Sequence, residues 1–133
     1  MKPQTAEWVE KAEGDWNAAQ QLNRVRKDPN YDGVCFHCQQ CVEKYLKGLM
    51  EELGLPVPKT HYLATLLTTL APHHPTLRPL RRGLLFLSDF AVGGRYPGKN
   101  AKKRQATAAL RWVEKVRTPA RALLGIRERR RTK

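Results

Sequence analysis

Apolar residues recur at spacings of three and four through most of the chain. In the first segment Trp8, Val9, Ala12, Trp16, Ala19 and Leu22 follow that rhythm, with Glu7, Glu10, Lys11, Asp15 and Asn17 between them. The pattern predicts an amphipathic helix. It ends at "RKDPNYDG", where Pro29 cannot continue a helix and Asp28, Asn30, Asp32 and Gly33 supply turn chemistry. A second segment over about 31–53 carries Val34, Phe36, Cys38, Cys41, Val42, Tyr45, Leu46, Leu49 and Met50. Its apolar stripe is wide, so this helix is expected to be the most buried. "GLPVPKT" breaks the chain, and Thr60 is the expected N-cap of a third helix, "HYLATLLTTLA", which "PHHP" closes. The fourth segment, "LRPLRRGLLFLSDFAV", is apolar at Leu77, Leu80, Leu84, Leu85, Leu87 and Phe90 and basic between. "GGRYPGKN", with three glycines and a proline in eight residues, is the sharpest irregular stretch. A last helix is predicted from about Ala101 to Leu124, burying Ala106, Ala109, Leu110, Val113, Val116 and Leu123.

No stretch alternates apolar and polar residues long enough to read as a strand, so the expected fold is all-α. Long helices joined by short polar breaks stack most simply as antiparallel neighbours, in an up-and-down bundle of four or five helices. The 133 residues suit one domain, placed at 1–126, followed by a basic tail, 127–133, expected to lack fixed structure. No run of about 18 apolar residues exists, and the N-terminus mixes charges into every turn. The expectation is a cytoplasmic protein with no membrane association.

Charge changes the picture more than composition does. The net charge is +13, yet residues 1–76 hold 8 Lys/Arg against 9 Asp/Glu, and residues 77–133 hold 17 against 3. The whole excess lies in the second half, where a one-sided field suits phosphate, nucleic acid or an acidic protein partner.

"CFHCQQCVEKYLK", residues 35–47, raises the question of a metal or redox site. On a helix, Cys35, Cys38 and Cys41 drift about 60° per step and climb about 9 Å. Three thiolates so placed cannot converge on one tetrahedral ion, and no second CxxC or His-x-His cluster adds ligands. No metal or other cofactor is expected, and cysteine reads as a small, soft core residue. His73 and His74, in a proline-flanked loop, are at most an adventitious metal site.

The stretch "YDGVCFHCQQCVEKYLKGLMEELGLPVPKTHYLATLL" resembles the core of the HEPN domain family, a nucleotide-binding module of higher eukaryotes and prokaryotes. The family's Phe-His-x-Gln-Gln-x-x-Glu-Lys-x-Leu-Lys pattern falls on Phe36, His37, Gln39, Gln40, Glu43, Lys44, Leu46 and Lys47, and its Thr-His on Thr60 and His61. "RYPG", at 95–98, resembles the short arginine motif before the family's last helix, and the likeness runs from about Trp8 to Leu124. Cys38 and Cys41 occupy positions where relatives commonly carry alanine.

The resemblance implies an up-and-down helical bundle that often dimerises. Some members are metal-independent ribonucleases, with an arginine followed after four to six residues by a histidine. Others lack that pair and resemble partners of minimal nucleotidyltransferases, as in toxin–antitoxin pairs. This chain has Arg95, but no histidine follows it, and the last histidine in the sequence is His74. No catalytic residue is therefore assigned.

The remaining site is a phosphate-binding surface. Arg95 offers a bidentate contact and Tyr96 an aromatic face and hydroxyl, while Lys99, Lys102, Lys103 and Arg104 add charge where the last helix begins. His37 and Asp89 are further candidates: His37 as a core hydrogen-bonding residue or a reacting imidazole, Asp89 (or Glu43) as an ion-pair partner for Arg95. The expected ligand is a nucleotide or RNA, bound by a homodimer that pairs with a separate nucleotidyltransferase. The alternatives are a ribonuclease with an altered active site and a module whose basic half docks an acidic protein.

Overall fold

α1 (Pro3–Asn23) begins with a proline in its first turn, where the missing N–H costs no helical hydrogen bond. Thr5, Val9, Ala12, Trp16 and Ala19 form its buried face, laid along α2 (Tyr31–Glu52). α2 is entered through Asn30, whose side chain accepts the Gly33 amide at 2.9 Å. From Val34 onward almost every turn of α2 is buried, because α1, α3 and α5 cover different sides of it. It stops at Gly54, whose φ of +74° is a conformation glycine adopts without strain.

The third helix is shorter than the sequence suggested. α3 spans Leu63–Leu70, and Thr60 is not its cap. Thr60 Oγ1 instead accepts the Tyr62 amide at 3.1 Å, and Gln39 Nε2 donates to the His61 carbonyl at 3.3 Å. Those two bonds keep 60–62 out of the helix, and the orphan amide of Leu63 is satisfied by Ser88 Oγ at 3.1 Å. The fourth segment divides into a 3-10 helix, Pro75–Leu80, and α4, Arg81–Ser88. Pro79 lies inside the 3-10 helix and has no amide to give a carbonyl of the preceding turn. α5 runs Lys103–Leu123, packing on α2, and its seat against α4 is set by Gly83. A Cβ at that position would overlap the Trp112 ring.

The structure, a computed structural model, describes residues 1–92 and 97–128. Within them the chain is an all-helical bundle around one continuous core that includes Leu46, Leu49, Leu66, Leu70, Leu84 and Val113. No helix among the described residues is long and apolar enough to cross a membrane. The last described residue, Glu128, pairs with Arg121; 129–133, within the expected tail, lie outside the described residues.

Candidate phosphate-binding surface

The start of α5 is fixed from below and open above. Asp32 Oδ1, in the first turn of α2, accepts the Ala101 amide at 2.7 Å, while Ala101 itself is buried. Beyond that pin, Lys102, Lys103 and Arg104 are exposed in succession, and Lys99 is exposed just before them. Lys102 occupies the N-cap position, and an ammonium has no lone pair with which to cap the helix. Gln105 Oε1 takes the Lys102 amide at 2.8 Å. The first turn of α5 contains no acidic residue. Cations at a helix N-terminus oppose the helix dipole, which favours anions there. The arrangement therefore concentrates positive potential where a bound phosphate would relieve it.

Of the other residues singled out from sequence, Arg95 and Tyr96, with Gly93 and Gly94, lie outside the described residues. Asp89 is exposed at the C-cap of α4. Glu43, offered as a partner for Arg95, has both carboxylate oxygens engaged: Oε1 by Gln39 and His61 at 2.9 Å each, Oε2 by Lys47 at 3.0 Å. His37 is not drawn into the basic surface. Its Nδ1 hydrogen-bonds Asp15 Oδ1 of α1 at 2.8 Å, and Lys44 takes the other oxygen of the same carboxylate. Five residues of α2 separate it from Asp32, a rotation of about 140° around the helix axis.

The polar residues in the middle of α2 form buried seams. Gln39, Glu43 and Lys47 lie at successive i, i+4 steps and are nearly inaccessible, at 0%, 4% and 5% exposure. The Lys47 ammonium also lies 5.9 Å from the centre of the Trp8 ring on α1. Burial would raise the Glu43 carboxyl, but the hydrogen bonds from Gln39, His61 and Lys47 outweigh it and hold the group below the ordinary carboxylate range. His61, read from sequence as part of a helix start and of the Thr-His motif, is thus an exposed imidazole held by a buried carboxylate.

A second seam joins three helices. Glu13 of α1 receives Arg117 of α5 in a two-toothed contact, at 2.8 and 2.6 Å, and the Tyr45 hydroxyl of α2. Arg121 donates to the Tyr45 oxygen at 3.1 Å. Burial opposes ionisation of Glu13, yet the bonds from Arg117 and Tyr45 and the charges of Arg117 and Arg121 leave its carboxyl lowered. Cys35, Cys38 and Cys41 form no disulfide, and all three are closed off from solvent. Burial pushes the Cys38 and Cys41 thiols far up, which suits packing and not nucleophilic chemistry. No cluster of three or more metal-ligating side chains occurs among the described residues.

Comparison with known proteins places this geometry. The family model for the HEPN domain matches residues 5–123. The crystal structure of TT1696 from Thermus thermophilus superposes with a TM-score of 0.80 at 22% identity, over 91% of this chain and 98% of that one. The structure of ST0689, an archaeal HEPN homologue, gives a TM-score of 0.73 at 23% identity, over 93% and 99% of the two chains. A search of curated proteins returns no match. With nearly its whole length matched by the family model, the chain belongs to the HEPN domain family.

Proposed function

We propose that this HEPN domain binds the phosphate of a nucleotide or nucleic acid without cleaving it. The observation that carries the reading is the run of exposed Lys102, Lys103 and Arg104 at the start of a helix that Asp32 anchors to α2. The helix itself gains nothing from three cations at its positive end, and a ligand anion does. Arg95 and Tyr96, in the segment leading to this surface, are assigned as further phosphate contacts, with Lys99 beside them. The absence of a histidine after Arg95 removes the acid–base partner that cleavage at this surface would use. By family resemblance, the domain acts as a cytoplasmic homodimer and as the partner of a separate nucleotidyltransferase in a toxin–antitoxin-like pair.

The test is binding of ATP and of a labelled single-stranded RNA to the wild type, Arg95→Ala and Lys103→Ala/Arg104→Ala, with the RNA recovered and inspected. Binding weakened by both variants with the RNA intact supports the reading. RNA cleavage that Arg95→Ala abolishes would replace it with a ribonuclease.

A further inference from the structure

About nine residues along α5 from the basic start, roughly 13 Å at 1.5 Å per residue, a groove opens between the 3-10 helix and α5. Its volume is about 670 Å³, and Pro79, Leu80, Trp112 and Pro119 supply its hydrocarbon surface. Arg111 and Lys115 stand at the α5 edge, whereas Arg78 and Arg81, next in the chain to Pro79 and Leu80, line a separate pocket with Leu67, Thr68 and Ala71. Both cations of the groove are exposed, and Glu114 is the single acidic residue in the lining.

The sequence builds this groove with small devices that the nucleotide-binding reading does not use. Gly83 lets the Trp112 ring close against α4, and the Lys115 ammonium lies 4.7 Å from the ring centre. Pro119 has no N–H, so the carbonyl of Lys115 lacks the amide that a regular helix would bring to it. The groove thus combines an apolar floor, a basic rim and a backbone acceptor deprived of its usual partner.

We propose that this groove docks an acidic amphipathic segment of a partner protein. An apolar side chain of that segment rests on Pro79 and Pro119 beside the edge of the Trp112 ring, while its carboxylates meet Arg111 and Lys115. Charge complementarity selects the acidic character, and the floor selects the apolar periodicity. A sugar-phosphate strand would satisfy the two cations but leave the exposed Pro79 and half-buried Pro119 uncovered.

The test uses a labelled 16-residue peptide with leucine at helical spacing and glutamate elsewhere. A scrambled peptide of the same composition and a 16-nucleotide oligo(U) serve as comparisons. Binding is read by anisotropy and by the indole N–H resonance of Trp112, assigned through Trp112→Phe. The expected result is binding of the patterned peptide that moves the Trp112 resonance and weakens at least tenfold in Arg111→Glu/Lys115→Glu, two exposed positions whose replacement leaves the helical circular dichroism unchanged. No binding, equal binding of the scrambled peptide, binding that leaves Trp112 unmoved, or movement of Trp112 by oligo(U) alone would each overturn the proposal. The nucleotide-binding reading is scored separately, by Arg95→Ala and Lys103→Ala/Arg104→Ala, so either idea can fail without the other.

Discussion

Replacing Glu43 by leucine isolates the energetic logic of the α2 seam. The carboxylate is 4% exposed and accepts from Gln39, His61 and Lys47. In Glu43→Leu, His61 loses little, because its side chain is 62% exposed and water can replace the lost acceptor. Gln39 keeps its bond to the His61 carbonyl at 3.3 Å. Lys47 carries the cost, since the residue is 5% exposed and the Trp8 ring, 5.9 Å from its ammonium, is a weaker counterpart than a carboxylate. Breaking a buried ion pair from one side typically costs about 3–5 kcal/mol. That is a large part of the roughly 5–15 kcal/mol that stabilises a domain. For a chain of this size it corresponds to a fall in Tm on the order of 10–20 °C. Removing both charges should recover most of the loss, because an apolar pair of similar volume is often neutral or better. The assay is guanidinium unfolding of wild type, Glu43→Leu, Lys47→Met and the double variant, read as a double-mutant cycle. A single variant that loses under about 1 kcal/mol, or a double variant no better than Glu43→Leu, would refute the assignment of the cost to an orphaned Lys47.

Three further outcomes follow from the same geometry. Gly83→Ala forces the Trp112 ring away from α4 and should lower stability by about 1–3 kcal/mol in chemical unfolding, the usual range for overpacking; pairing it with Trp112→Leu should return part of that loss. Glu13 and Glu43 both have depressed carboxyl pKa values when folded, so the stability they add is present above the unfolded value of about 4.3 and is lost as pH falls through their folded values. Glu13→Gln and Glu43→Gln should therefore flatten the loss of stability below about pH 5, measured as Tm against pH; a profile as steep as the wild type's would contradict this. Iodoacetamide should label Cys38 and Cys41 no faster than the chain opens, with full labelling in denaturant, and rapid labelling of the native protein would contradict their burial.

Helical periodicity made the bundle legible because burial follows spacing wherever one face of a helix is apolar. It located α1, α2 and α5 to within a few residues, and it identified the cysteines as core from their geometry on a helix. It overran at Thr60, where two hydrogen bonds hold 60–62 out of the helix, and across 75–80, where the chain is a 3-10 helix before α4 begins. The basic start of α5 was readable as a charge run, and its anchoring by Asp32 was not, because that bond joins residues 69 apart in the chain. Gln39, Glu43 and Lys47 were legible only as motif positions, and their i, i+4 spacing was not read as a buried polar stripe. The missing step was His61, brought to Glu43 by the break before α3.

The measurement that bears most directly on the phosphate-binding reading is the salt dependence of single-stranded RNA binding, compared between wild type and Lys102→Ala/Lys103→Ala/Arg104→Ala. If those side chains contact phosphates, log Kobs falls linearly with log salt in the wild type, and the variant's slope is shallower by about 0.7 per contact removed. Equal slopes in the two proteins, or an affinity indifferent to salt, would contradict it.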